Sequence, residues 1–87
     1  IVKALRADGW AEESLAALGG GVPDLLVSHP DGANGKSVTG LVECKTRGND
    51  LTQLQRGFVA TWPGLVGVAY TPEEALRLAN GWRGFAQ

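Results

Sequence analysis

The sequence has almost no sulfur and no segment that spans a membrane. Its 87 residues include one cysteine, Cys44, and no methionine. One cysteine cannot form a disulfide within the chain, which agrees with a reducing compartment. The longest apolar run, residues 65–70, is far shorter than the roughly 20 residues of a membrane-spanning helix, and no charged segment precedes it as in a signal peptide. We therefore expect a cytoplasmic protein without membrane contact.

The chain also lacks an excess of basic residues. Eight Lys and Arg stand against nine Asp and Glu, which gives a net charge of −1. Any nucleic-acid contact must therefore be local rather than a broad basic surface. With 44% hydrophobic and 20% charged residues, the composition is that of a globular protein. Residues 1–87 are predicted to form a single domain with one modest core, which dimerisation would supplement.

Hydrophobic periodicity and turn residues predict seven elements in the order αβββαβα. The predicted elements are a helix over 1–8, a short strand over 14–18, strands over 24–29 and 38–46, a helix capped by Asp50 with Gln53 and ended by Pro63, a strand over 65–70, and a helix from Thr71 to about Asn80. This order is typical of an α/β fold with a mixed sheet of about four strands flanked by helices.

The second and third strands are predicted to pair as a hairpin. A turn centred between Ala33 and Asn34 makes the numbers of paired residues add up to 67. Asp24 then lies opposite Glu43. Opposed side chains are roughly 4.5 to 5.5 Å apart at Cβ, and like charges there are destabilising unless something compensates them. The two carboxylates therefore predict a bound cation, and Lys45, two residues beyond Glu43, projects from the same face.

The other face of this hairpin is apolar and is predicted to face the core. Its residues are Leu25, Val27, Val38, Val42 and Cys44. The helix that follows has its own apolar stripe, formed by Leu51, Leu54, Phe58 and Trp62. At 100° per residue Gln55 falls inside this stripe, and an inward amide needs a polar partner. The nearest candidate partner is the cluster of Glu43 and Lys45.

Carboxylate, carbonyl and water oxygens suit a hard cation such as Mg²⁺ or Mn²⁺, which keeps open positions for a phosphate oxygen. Zinc would prefer Cys and His, but Cys44 is predicted on the opposite face and His29 lies far along the hairpin. The run Gly19 to Gly21 is not followed at once by a helix, so it predicts a turn and no nucleotide cofactor. Trp10, Trp62 and Trp82 are predicted to pack in the core rather than stack on bases.

Three segments, Gly21 to Val27, Leu41 to Thr46 and Leu51 to Gln55, resemble the motifs of the PD-(D/E)XK nuclease superfamily. The first contains Pro23-Asp24 and the second contains the Glu-x-Lys triplet. Together with the order of elements over about residues 1–70, the chain is most similar to the VRR-NUC branch, which is often carried by phages. The resemblance implies a restriction-endonuclease-like core and a Mg²⁺- or Mn²⁺-dependent endonuclease that leaves a 5′-phosphate.

The resemblance also implies roles for individual residues. Asp24 and Glu43 would bind the metal, and the backbone carbonyl of Cys44 would complete the ligation. Lys45 would position or activate the attacking water, and Gln55 matches the family's helix glutamine. The implied substrate is DNA, branched in the junction resolvases of this branch and cut there by a homodimer.

Two features leave alternatives open. Many members of the family carry a further acidic residue on the first helix, where only Asp8 near its end is available. Otherwise that ligand precedes Ile1 or is absent, so the sequence leaves open whether the site holds one metal or two. Phosphate contacts are predicted at Arg47, Arg56 and Lys3, with Arg47 favoured because it is near Lys45. The alternatives to a nuclease are a non-catalytic nucleic-acid-binding or assembly module on the same fold and a purely structural domain.

Overall fold

The computed structural model describes residues 1–33 and 35–84. Within this range the chain forms three helices and four strands in the predicted order. They are α1 (Val2–Ala7), β1 (Ala11–Ser14), β2 (Leu25–His29), β3 (Val38–Cys44), α2 (Gln53–Thr61), β4 (Val66–Ala69) and α3 (Pro72–Arg83). The sheet is open and mixed, with the order β1-β2-β3-β4 and with β4 parallel to β3. The predicted α/β fold with a four-stranded mixed sheet is confirmed.

The β2–β3 hairpin has the register that the sequence predicts. Leu25 lies opposite Val42 and His29 lies opposite Val38, so the numbers of the paired residues add up to 67. Asn34, one of the two residues at the predicted turn centre, lies outside the described residues. A shift by one residue would turn the apolar side chains of both strands away from the core, which is why the register is well determined.

One face of the sheet packs against α1 and α3 and forms the core. The buried core residues are Leu5, Trp10, Leu25, Val27, Val38, Val42, Ala69, Ala75, Ala79 and Trp82. The predicted apolar face of the hairpin is therefore confirmed, and so is the burial of Trp10 and Trp82. Gly40 explains how the Trp82 ring reaches the sheet, since a Cβ at position 40 would lie 2.5 Å from its Cζ3 atom.

The bounds of the first strand and of the last helix differ from their predictions. The first strand is Ala11–Ser14, where it pairs with β2, and the predicted strand over 14–18 is mostly a turn closed by the Leu18 N–H and the Leu15 carbonyl. Pairing with β2 determines which residues form this strand, and the local sequence pattern does not reveal that pairing. The last helix starts at the predicted Thr71 cap but ends at Arg83 rather than Asn80, because Trp82 packs in the core. None of the helices in the described range is long and apolar enough to cross a membrane.

The helix α2 reaches the other face of the sheet through the Gln55–Glu43 hydrogen bond, and it differs most from its prediction. Its N-cap is Thr52, whose side chain accepts a hydrogen bond from the backbone N–H of Gln55, so the predicted cap of Asp50 with Gln53 is wrong. The helix ends before Pro63, as predicted. None of its residues is buried, so its apolar stripe does not form a core contact as expected.

Candidate metal and catalytic site

Asp24 and Glu43 meet at one end of the hairpin, on the face opposite the core. Asp24 directly precedes β2, and its Oδ2 atom accepts a hydrogen bond from the Cys44 backbone N–H at 2.9 Å. This bond ties the Asp24 carboxylate to the strand that carries Glu43. Extending the β2–β3 register by one residue places Asp24 opposite Glu43, in agreement with the sequence.

Glu43 is a buried carboxylate with one oxygen unsatisfied. The residue is 2% exposed. Its Oε2 atom accepts a hydrogen bond from Gln55 Nε2 at 2.9 Å, whereas its Oε1 atom has no hydrogen-bond partner in the described part of the chain. A buried charged oxygen without a partner costs several kcal/mol, roughly, unless a proton or a cation neutralises it. Glu43 is therefore placed to take up one or the other.

The electrostatics of Asp24 and Glu43 also favour uptake of a proton or a cation. Burial, above all, raises the pKa of Glu43 above its usual 4.5, and the nearby negative charge of Asp24 raises it further. The Lys45 ammonium opposes this shift and lowers the pKa of Glu43. A proton shared by the two carboxyls and a divalent cation between them are alternative ways to remove the same repulsion. The oxygen donors fit a hard cation such as Mg²⁺.

We expect Glu43→Gln to stabilise the protein in EDTA at neutral pH, raising the unfolding temperature by roughly 4 to 8 °C for a gain of about 1 kcal/mol. The amide introduced by this substitution would keep the bond from Gln55 and donate its NH₂ to Asp24. Because the folded pKa of Glu43 is raised, its stabilising contribution is complete below the unfolded pKa and is lost as the pH rises through the folded pKa. The advantage of the variant should therefore grow with pH across that window.

Thermal unfolding monitored by circular dichroism between pH 4 and pH 8 measures this difference. Glu13→Gln is the matched control, because Glu13 is an exposed carboxylate on β1, and we expect no comparable change there. A Glu43→Gln protein that unfolds below the wild type at every pH would show that the carboxylate is compensated without a cation.

Gln55 is held by the start of its own helix. Its Oε1 atom accepts a hydrogen bond from the Thr52 backbone N–H at 2.9 Å, and its own N–H donates to Thr52 Oγ1 at 3.2 Å. This capping box leaves the amide NH₂ free to donate to Glu43. The predicted inward direction of Gln55 and its contact with the acidic cluster are confirmed by this geometry.

Lys45 lies just beyond the end of β3 and is half-buried. Its backbone N–H donates to the Ala69 carbonyl at 3.0 Å, which extends the pairing with β4 by one residue. Two residues after Glu43, its side chain leaves the sheet on the same face. No carboxylate oxygen of the described residues lies within 4.0 Å of its ammonium group. The charge of Lys45 is thus available to a ligand near Glu43.

The Cys44 thiol lies on the other face, where it packs against the core as predicted. Burial, followed by the charges of Asp24 and Glu43, raises the pKa of this thiol to about 11. It therefore keeps its proton at neutral pH and is a poor nucleophile. Within residues 1–33 and 35–84, no three His, Cys, Asp or Glu side chains gather as a metal cluster, so the two carboxylates would need carbonyl and water oxygens as further ligands.

The remaining predicted acid, Asp8, is not near this pair. It caps the end of α1, and its carbonyl oxygen lies 3.1 Å from His29 Nε2. His29 is five residues along β2 from Asp24, which corresponds to roughly 16 Å. Asp8 therefore does not supply a further ligand to Asp24 and Glu43.

The three predicted phosphate contacts lie on different elements and have different surroundings. Arg47 follows β3, but it forms an ion pair with Glu74 at 2.9 Å and lies over the Tyr70 ring. Arg56 is exposed on α2, where it donates to the Leu51 carbonyl. Lys3 is exposed on α1, in the helical layer across the sheet from Glu43. Their contacts with phosphate stay predictions.

The structure corrects the prediction for Trp62. This residue is 45% exposed, and Leu54 on the same helix is 67% exposed. Trp62 stacks on Phe58, whose ring centroid is 5.0 Å away. The apolar stripe of α2 gave no indication of this, because periodicity shows which residues share a face and not whether anything covers it.

Two residues that support the site were missed from the sequence. Thr52 holds Gln55, and its signal was present, since Thr52 and Gln55 have the spacing of a capping box. Gly21 has a φ of +84°, and a Cβ there would lie 2.6 Å from the Leu54 backbone. The glycine thus lets the loop before Asp24 approach the start of α2, and only the packing reveals this.

Comparisons with models of protein families, with curated proteins and with solved structures found no match for this chain. The resemblance to the PD-(D/E)XK nucleases therefore stays a prediction.

Proposed function

We propose that this chain is a metal-dependent nuclease with a restriction-endonuclease-like core, which uses Mg²⁺ or Mn²⁺ to hydrolyse phosphodiester bonds of DNA. One observation carries the proposal: Glu43 is buried with one oxygen unpartnered, directly beside Asp24. A buried carboxylate with a half-buried one opposite it does not stabilise a fold by itself, so the presence of this pair supports a bound ligand.

The cation would be held by Asp24, Glu43 and the backbone carbonyl of Cys44, with water in the remaining positions. When bound, such an ion polarises the phosphate and lowers the pKa of a coordinated water. Gln55 keeps the Glu43 carboxylate in one orientation through the bond to Oε2. The Cys44 N–H does the same for Asp24. Both carboxylates are therefore oriented before any ligand arrives, as an efficient site requires.

Lys45 supplies the positive charge that the reaction needs at the phosphate. Its ammonium has three donors, which can bind a non-bridging phosphate oxygen and the attacking water together. Water then adds to phosphorus, and the bond to the 3′ oxygen breaks. The proton lost by the water is balanced by the proton taken up by that oxygen, which leaves a 3′-hydroxyl and a 5′-phosphate.

The charge distribution suits a small contact area and a dimer. The net charge is −1, and Arg47 is partly neutralised by Glu74. A single copy therefore offers little attraction to a long duplex. We include a homodimer in the proposal because two copies would double the basic surface and could cut both strands of a branched DNA.

The proposal is tested by incubating the protein with supercoiled, single-stranded, flapped and four-way DNA and with RNA, in Mg²⁺, Mn²⁺ or EDTA. We expect cleavage of at least one DNA in either metal, none in EDTA, and 5′-phosphate ends. Binding without cleavage in both metals would instead support a nucleic-acid-binding or assembly module. The absence of both binding and divalent-ion affinity would leave only a structural domain.

A further inference from the structure

The exposure of Trp62, the residue that ends α2, is not explained by packing. Phe58 and Trp62 lie nearly parallel, with ring centroids 5.0 Å apart and an interplanar angle of 17°. A tryptophan stabilises a fold mainly when its large apolar surface is buried, yet Trp62 is 45% exposed. None of the residues of α2 is fully buried, and the half-buried Phe58 is the ring that supports Trp62.

The position of the pair relates it to the metal site. Trp62 follows Gln55 by seven residues, close to two helical turns, so it lies on the same side of α2 and roughly 10 Å further along. Gln55 is the residue that holds Glu43. Three steps of a stacked nucleic-acid strand, at about 3.4 Å each, cover the same distance. A strand with its cleaved phosphate at Glu43 can therefore reach Trp62.

The charge of α2 also suits a phosphate backbone. Residues 53–61 include Arg56 and no acidic residue. The nearest carboxylate oxygen to Arg56 belongs to Asp50, 4.0 Å away, and both side chains are largely exposed. An exposed pair of this kind contributes little and is easily exchanged for a phosphate contact. The aromatic surface and the cation thus lie on one helix, as in sites that follow a single strand.

We propose that Trp62 stacks on an unpaired nucleobase of the substrate strand. A base inside an intact duplex has both faces covered by its neighbours, so only an unpaired base can stack on an indole ring. This inference rests on the proposed nuclease function and narrows its substrate class. The substrate carries unpaired nucleotides within about three positions of the cleaved bond, as a single strand, a flap or a loop does.

Tryptophan fluorescence tests the stacking directly, because Trp10 and Trp82 are buried and Trp62 is the exposed reporter among the three. The protein is titrated with a thymidine oligonucleotide and with a duplex of the same length, with Ca²⁺ in place of Mg²⁺. We expect the single strand to quench the emission and the duplex to quench it much less. Trp62→Phe should lose this quenching, and Trp62→Ala should bind the single strand about tenfold more weakly.

Leu54→Ala is the matched control, since Leu54 is exposed on the same helix and carries no ring. It should keep the wild-type quenching. Equal quenching by duplex and single strand, or quenching that persists in Trp62→Phe, would overturn the stacking proposal. So would a Trp62→Ala protein that changes from dimer to monomer in sedimentation velocity but keeps its oligonucleotide affinity, because the pair would then be an interface between copies.

The cleavage assay separates the two proposals. Strand-specific quenching that depends on Trp62, in a protein that cuts nothing in Mg²⁺ or Mn²⁺, would support stacking and refute the nuclease. Cleavage with the same preference for unpaired substrates in Trp62→Ala and in the wild type would refute stacking and support the nuclease.

Discussion

The substitution Asp24→Asn is expected to lower the rate of DNA cleavage by about 10³-fold or more while leaving the fold intact. Loss of one negative ligand weakens cation binding, and the ion's stabilisation of the transition state amounts to several kcal/mol, at about 1.36 kcal/mol for each tenfold in rate. The fold should survive because the introduced amide can still accept the Cys44 N–H through its side-chain oxygen. The NH₂ group of that amide can donate to the unpartnered oxygen of Glu43.

Two measurements check this result. Single-turnover cleavage in Mg²⁺ gives the rate, and thermal unfolding with increasing Mn²⁺ gives the affinity. A ligand at about 100 times its Kd stabilises the wild type by about 2.7 kcal/mol, and Asp24→Asn should show almost none of this gain. Asp50→Asn is the control, because that carboxylate is 91% exposed beside α2. Retained cleavage in Asp24→Asn would contradict the proposed metal site.

The substitution Lys45→Met is expected to lower cleavage by about 10²- to 10³-fold without removing Mn²⁺ binding. Methionine keeps the apolar stem of a half-buried side chain and removes only the charge that faces the phosphate. Because the Lys45 ammonium lowers the pKa of Glu43, its loss should raise that pKa further. Protons then compete with the cation up to a higher pH, so the onset of Mn²⁺ binding should move toward higher pH.

The two variants should therefore differ from each other in a way that a general loss of folding would not produce. Asp24→Asn loses Mn²⁺ stabilisation, whereas Lys45→Met keeps it at alkaline pH and loses the rate. Lys36→Met serves as the control for removal of a positive charge, since Lys36 is exposed near the hairpin turn. If Lys45→Met and Lys36→Met cleave DNA equally fast, Lys45 has no part in the reaction.

Much of the hairpin could be predicted because its signals are local. Alternation places Leu25 and Val27 on one face and Asp24 on the other, and a turn of known position fixes which residue of β3 lies opposite. The same reasoning placed Glu43 opposite Asp24 and directed Lys45 to the same side. The helix angle of Gln55 added the last contact, which the hydrogen bond to Glu43 now confirms.

The errors fall where the outcome depends on distant parts of the chain. β1 was predicted over 14–18, but its position depends on the pairing of Ala11 with Ser28, which no local pattern reveals. Trp62 was assigned to the core because it shares a stripe with Phe58. Whether a stripe is covered depends on what packs against it, and in this one Leu54 and Trp62 stay exposed.

The sequence by itself determined the order of the elements, the register of the hairpin and hence the opposition of Asp24 and Glu43. These follow from side-chain periodicity and turn chemistry, which act over a few residues. Only the tertiary structure decided that Glu43 is buried with an unpartnered oxygen and that Trp62 is exposed. Burial depends on which surfaces meet, and contacts between residues far apart in the chain settle that.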